Sequence, residues 1–209
     1  MMRIEKLSNR PDRAGRYALQ FEDGTLLRLY RQTVEDFSLY TGKELDGEEY
    51  VRLKTSAGQM SAKMRAVRIV SASSVSKQDL QQRLVMKGED PGQAKEAVAW
   101  MAELNLLDDR KTAEQIVHRC ISKGYGVARA KQALYEKRIP KEYWEEALAG
   151  YPEQSDVVAG YLLAHITDPN DPKQIRKAID ALLRRGHHYA TVRRELSRLS
   201  VNEEFLEEP

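Results

Sequence analysis

The chain has 209 residues, with 34 lysines and arginines against 32 aspartates and glutamates, a formal net charge of +2. That balance does not by itself announce a nucleic-acid binder, and a single cysteine, Cys120, excludes an internal disulfide. No apolar run approaches the ~18 residues of a membrane span. The charged start MMRIEKLSNRPDR lacks the apolar core of a secretory signal, so a cytoplasmic protein is expected.

Residues 1–31 read as β structure. Tyr17, Leu19 and Phe21 alternate with polar neighbours, Asp23-Gly24 supplies a turn, and Leu27 and Leu29 alternate on the return strand. A third strand is expected near 4–7, and the hairpin must pack on a neighbour because two strands alone are marginal in water. A short helix is expected over 33–40, capped by Thr33 and ended by Gly42. Asp46 is placed to cap a long helix over 47–70, with Tyr50, Leu53, Met60, Met64, Val67 and Val70 as its apolar stripe. Gly58 interrupts that pattern, at about 1 kcal/mol relative to alanine.

From residue 76 onward one helical pattern is written repeatedly. Segment 76–101 superimposes on segment 126–151 at a constant offset of 50: Leu80 on Ala130, Leu84 on Leu134, Lys87 on Lys137, Ala97 on Ala147, Val98 on Leu148. A more degenerate copy follows at an offset of 48, carried by Ala178, Leu182, Arg185-Gly186, Val192 and Leu196. A fixed offset of this size marks stacked supersecondary units.

The punctuation within the units is chemically specific. Ser76 caps the first helix of the pattern, Leu80, Leu84 and Val85 form its apolar face, and Lys87-Gly88 ends it. Pro91 opens the next helix, whose buried stripe is Ala94, Ala97, Val98, Met101 and Leu104. Asp108 or Asp109 caps a helix over 110–123, with Ala113, Ile116, Val117 and Cys120 inward, and Gly124-Tyr125-Gly126 breaks the chain. Helices over 127–137 and 141–149 complete that unit. Helices over 156–165, 173–185 and 189–199 form the last. The expected organisation is a hairpin with a short helix over 1–45, three-helix repeats over 46–106, 107–152 and 153–200, and an acidic tail over 201–209. Short helices of this kind must pack as bundles to bury their stripes.

No catalytic constellation emerges. Gly124-x-Gly126 follows a helix and lacks a third glycine, so it is a turn and not a nucleotide fingerprint. His118 and Cys120 stand two apart on a helix and face different ways. His187-His188 is expected to be an exposed turn, and Asp108-Asp109 a helix cap. Tyr125, Tyr135, Tyr143, Trp144 and Tyr151 read as packing groups, not as a base-stacking platform. No enzyme activity, metal or cofactor is expected.

Basic residues recur at matching turns: Arg83 and Lys87, Lys137 and Arg138, Arg184 and Arg185, with Lys123, Arg129 and Lys131 between them. Segment 173–198 is the densest. Lys173, Arg176, Lys177, Arg184, Arg185, Arg193, Arg194 and Arg198 are opposed there only by Asp180 and Glu195. Helix dipoles favour cations at C-termini, but that accounts for single positions better than for the whole segment. Phosphate or acidic-partner contacts suit it, without sequence-specific base reading.

The order and spacing of these motifs resemble the RecX family, bacterial regulators of the RecA recombinase. The resemblance is carried by Ser76-Lys77-Gln78-Asp79-Leu80 with Leu84 and Lys87-Gly88, and by Leu107-Asp108-Asp109 running into Ala113. Gly124-Tyr125-Gly126 with Leu134 adds to it, as does Leu182 through Arg184-Arg185-Gly186-His187 to Val192. It implies a mostly α fold of tandem three-helix repeats in an elongated curved array, with a small N-terminal β-hairpin region and no active site. It further implies binding to the RecA filament and modulation, in the inhibitory sense, of strand exchange and ATP hydrolysis. Direct contact with single- or double-stranded DNA through phosphates is a second implied property, and a monomer is expected. Two departures stand out: Lys77 and Asp79 replace the family's frequent Arg and Glu, and Lys137-Arg138-Ile139 lacks the glycine expected at its centre. A strained turn is predicted at Arg138.

Overall fold

A computed structural model describes residues 1–199. The acidic tail, 201–209, lies outside the described residues. The chain divides into two compact units, Met1–Leu107 and the part from Asp108 onward.

The first unit opens with strands β1 (Met2–Leu7), β2 (Arg16–Phe21), β3 (Leu26–Tyr30) and β4 (Glu44–Leu45), in the antiparallel order β3-β2-β1-β4. The expected hairpin is therefore part of a four-stranded sheet. β4 is two residues long, too short to carry an alternation signal, and pairs Leu45 with Met2 and Glu44 with Arg3. Ile4, Leu19, Phe21 and Leu29 project to one face and share a core with Leu39, Leu45 and Leu53. Helix α1 (Arg31–Asp36) begins two residues earlier than expected, directly from β3. Thr33 consequently lies inside the helix, fully buried, and caps nothing; Tyr30 stands at the cap without a side-chain hydrogen bond.

Helix α2 (Gly47–Ala72) starts at a reciprocal capping box, in which Asp46 accepts from the Glu49 N–H at 2.8 Å and the Asp46 N–H donates to the Glu49 carboxylate at 3.2 Å. Its first half packs on the sheet through Leu53, and its second half forms a three-helix core with α3 (Lys77–Met86) and α4 (Pro91–Glu103). That core joins Ala62 and Ala66 to Leu80, Leu84, Ala94, Ala97 and Met101. The expected stripe of α2 was too rich in large residues. Met60 and Met64 are only partly buried, and alanines make the contact. Val85 and Leu104 are 39% and 48% exposed, and Leu107 takes the inward place expected of Leu104.

In the second unit, α5 (Asp109–Ser122), α6 (Val127–Glu136), a 3₁₀ turn (Lys141–Tyr143) and α7 (Trp144–Leu148) enclose Ala113, Ile116, Val117, Leu134 and Ile139. Helices α8 (Ser155–His165), α9 (Pro172–Arg184) and α10 (Tyr189–Arg198) enclose Val158, Leu162, Ile175, Ala178, Leu182, Val192 and Leu196. The aligned positions Leu80, Ala130 and Ala178, like Leu84, Leu134 and Leu182, are all buried. Truncating one of these leucines to alanine would cost about 3 kcal/mol through lost contacts and the cavity left behind. Tyr143, Trp144 and Tyr151 pack on the α5–α7 core as expected, whereas Tyr135 is 72% exposed on the outer face of α6.

The ends of α3, α6 and α9 share one hydrogen-bond pattern. Gly88 N–H donates to Val85 O at 2.9 Å and Glu89 N–H to Leu84 O at 3.1 Å. Arg138 and Ile139 repeat this to Tyr135 and Leu134 (2.8 and 3.0 Å), and Gly186 and His187 to Leu183 and Leu182 (2.8 and 3.1 Å). This is the Schellman ending, which places its central residue in the left-handed region. Gly88 and Gly186 have φ of 88° and 85°, and Arg138 has φ of 54°, as the missing glycine predicts.

Candidate partner interface

Helix α9 presents the clearest cationic surface. Asp171 caps it by accepting from the Lys173 and Gln174 N–H groups at 2.9 and 3.4 Å, and Pro172 sits where its missing N–H costs nothing. Ile175, Ala178, Ile179 and Leu182 face inward. Lys173, Arg176, Lys177 and Arg184 therefore share the outward face with Asp180, at spacings of three and four residues. Among the described residues these four cations make no ion pair, and neither does the exposed Arg193 on α10.

The remaining predicted cations of this segment are engaged. Arg194 reaches the buried Glu195 at 3.2 Å and Glu153 at 3.2 Å, and also donates to the Ser155 hydroxyl. Arg198 closes on Glu195 at 2.8 Å. Burial pushes the Glu195 carboxyl up, but the Arg198 and Arg194 guanidiniums outweigh this and hold it below the ordinary glutamate value. Arg185 lies over the Tyr161 ring at 5.0 Å, in a cation–π contact. Three of the eight basic residues between 173 and 198 are thus committed elsewhere: Arg185, Arg194 and Arg198.

The turn residues fare differently. Lys87, Lys123 and Lys131 are exposed, Arg138 is exposed at its left-handed position, and Lys137 is half-buried. Arg83 forks onto Asp79, with Nε to Oδ1 at 3.0 Å and Nη2 at 2.9 Å from Oδ2. Arg129 meets Glu136 at 3.4 Å, and its backbone lies against Gly186.

That contact belongs to a joint the sequence did not disclose. Gly126 opens α6 with no side chain to cap it. Its N–H donates to Arg185 O at 2.9 Å, and Ala128 N–H donates to Gly186 O at 3.2 Å. The spare carbonyls at the end of α9 thereby satisfy the spare donors at the start of α6. Expected to be exposed, His187 is in fact buried in this joint, with its Nε2 3.1 Å from Gly124 O. As Nε2–H donates there, Nδ1 is left bare and without a partner. Burial, joined by the charge of Arg185, pushes the His187 pKa below its ordinary value. Close by, the Tyr151 hydroxyl donates to Tyr125 O at 2.6 Å, and burial pushes its pKa up to about 12. Cys120 is buried and its pKa is raised by desolvation, so the thiol is inert.

Among the described residues, no group of three or more His, Cys, Asp or Glu side chains is gathered for a metal. Nor is any described helix long and apolar enough to cross a membrane.

Comparison with known proteins bears on the whole arrangement. The family model described as RecX, second three-helix domain, matches residues 108–148. The regulatory protein RecX of Vibrio parahaemolyticus is 29% identical over 148 residues, covering 69% of this chain and 95% of that one. That of Clostridioides difficile is 23% identical over 209 residues, covering 97% of each. A crystal structure of regulatory protein RecX has a TM-score of 0.63 at 19% identity, covering 95% of this chain and all of that one. RecX from Lactobacillus salivarius has a TM-score of 0.59 at 18% identity, covering 70% and 99%. These two structures speak for the fold.

Proposed function

The chain belongs to the RecX family, and from that premise we propose that it regulates the RecA recombinase by binding the RecA–DNA filament. On this reading it works without catalysis, as a cytoplasmic monomer built of units 46–106, 107–152 and 153–200, and lowers RecA's strand exchange and ATP hydrolysis. The observation that carries the reading is the outward face of α9, where cations have no ion pair among the described residues while Arg194 and Arg198 are held by carboxylates. Unpaired cations on a rigid helix are available to an acidic protein surface or to DNA phosphates without first breaking an internal ion pair. Lys123, Lys131 and Arg138 would extend the contact from the other turns of the second unit.

The test is RecA's DNA-dependent ATP hydrolysis with this protein added in substoichiometric amounts. Wild type should depress hydrolysis. Charge reversal at Lys177, Arg184 and Arg193 should weaken the effect several-fold, since these positions carry no ion pair among the described residues. If hydrolysis and strand exchange are both unchanged while naked DNA is bound tightly, the regulator reading fails and a plain helical-repeat DNA-binding protein replaces it.

A further inference from the structure

A second cationic site lies in the first unit, where two cations of a repeat turn, Arg83 and Lys87, meet arginines that belong to no repeat. The loop between β1 and β2, the second half of α2 and the end of α3 enclose a cleft of about 510 Å³. Arg16, Arg65, Arg68, Arg83 and Lys87 line it together with Ile69, and no carboxylate residue is among the lining. The five cations come from three elements that are remote in sequence, so only the fold brings them together.

The guanidiniums are held in place. Arg16 forks onto Asp12 with Nε and Nη2 at 3.1 and 2.9 Å from Oδ2. The Arg16 backbone N–H and that same fork hold the Asp12 carboxyl down at about 2, so this anchor stays ionised. Arg65 lies 2.8 Å from the buried Glu89, which also accepts from the Ser61 hydroxyl at 3.0 Å. A further donor of Arg65 reaches Lys87 O, and Arg68 donates to the Tyr30 hydroxyl. Arg83 is fixed by Asp79. Three cations are thus balanced by one carboxylate each, whereas Arg68 and Lys87 have no ion pair among the described residues. The cleft carries net positive charge, and four of its five cations are guanidiniums each held by a partner, which lowers the entropic cost of seating an anion on them. Guanidinium forks also match the oxygens of a phosphate in pairs.

We propose that this cleft binds the phosphodiester backbone of a nucleic acid, as a site separate from the α9 face. An acidic protein segment is disfavoured by the lining, which offers no aromatic side chain and only Ile69 as a large apolar one. Protein interfaces draw their affinity from aromatic and arginine anchors desolvated by close apolar packing, and here the arginines have only Ile69 beside them to supply it. The absence of aromatics from the lining also denies bases a stacking surface, so contact is with the backbone and carries no sequence preference.

The experiment is fluorescence anisotropy of a labelled oligonucleotide, single-stranded in one arm and duplex in the other, titrated with the full chain across a salt series. Arg68→Glu with Lys87→Glu is the variant, because neither change strips a carboxylate of its partner; circular dichroism and a melting curve establish that it folds. Affinity should fall by about tenfold at low salt, and the salt slope for duplex should flatten by roughly two contacts at about 0.9 each. The loss should persist when Arg184 and Arg193 are also reversed, as a separate site requires. Unchanged affinity and slope in both arms would overturn the proposal. So would a poly-glutamate peptide that displaces the oligonucleotide at equal charge concentration, which would assign the cleft to an acidic protein. The assay contains no RecA, so its failure leaves the filament reading standing.

Discussion

The endings of α3 and α9 are built from the same local text. Each has a basic C-cap, Lys87 or Arg185, then a glycine near φ +85°, then a buried residue, Glu89 or His187. Around Gly88 an added Cβ would meet nothing within 4 Å, whereas at Gly186 it would lie 2.3 Å from the Arg129 backbone nitrogen. The first glycine serves only to let the chain turn. The second does that and also lets the start of α6 dock. One hydrogen-bond pattern therefore supports a free turn in one place and a joint between two helix triplets in another.

Substitution separates the two roles, and the joint should show the largest effect. Gly126 has an ordinary φ of −79°, so alanine there strains no torsion; its Cβ would instead sit 2.0 Å from Gly186 O, a backbone atom that cannot swing aside. Gly126→Ala should cost about 3 kcal/mol, the upper part of the range for overpacking. Gly186→Ala should cost at least as much, since a left-handed torsion is added to the clash. Gly88→Ala should cost only about 1 kcal/mol, the torsional part alone. Urea unfolding of the three variants would test the comparison, and equal losses at 88 and 186 would remove the joint.

The buried residue after the glycine gives the next largest effect. Glu89 is compensated by Arg65, but His187 has only the Gly124 carbonyl, with the Arg185 guanidinium nearby. Its pKa is depressed in the fold, so the unfolded chain takes up the proton first. Stability from this group is complete above the ordinary value of 6.5 and falls as pH drops from there toward the lower folded value. Urea midpoints measured between neutral and mildly acidic pH should fall in wild type. They should flatten in His187→Gln, which keeps a donor for Gly124 O and cannot titrate. Glu195, also depressed, acts in a separate window below 4.5. A slope that survives in the glutamine variant would place the titrating group elsewhere.

Much of this was legible because caps and turns are decided by neighbours in sequence. Asp46, Ser76 and Asp108 cap as their positions suggest, and Pro91 opens α4. Errors arose where tertiary contact overrode the local signal. Thr33 is a good cap by residue type, but β3 runs straight into α1 and buries it. Val85 and Tyr135 fit apolar spacing yet lie beyond the narrow face that small three-helix cores cover. His187 was misread because a histidine after a glycine gives no local sign of a docked helix. Gly126 gives no sign either: a glycine cap leaves the first donors of α6 open, but water satisfies such donors as well as a docked carbonyl does. The cleft gave no sign, since Arg16, Arg65 and Arg68 belong to no repeat.

The smallest effect is expected at α6, whose ending has the same two hydrogen bonds as the others but places an arginine at the centre. At φ 54° the Arg138 Cβ crowds the following carbonyl, at about 1 kcal/mol or somewhat more. Glycine would relieve that strain but bring more freedom to the unfolded chain, which takes back part of the gain. The net for Arg138→Gly is a stabilisation of roughly 0.5–1 kcal/mol, seen as a small rise in the urea midpoint, with Arg138→Asn between the two. The side chain is exposed, so no core contact is lost. A rise in stability accompanied by weaker depression of RecA hydrolysis would mean that a cation is kept at this turn for binding, against the preference of the backbone. A rise with hydrolysis still fully depressed would leave Arg138 as a tolerated departure, and would shift the burden of contact onto α9.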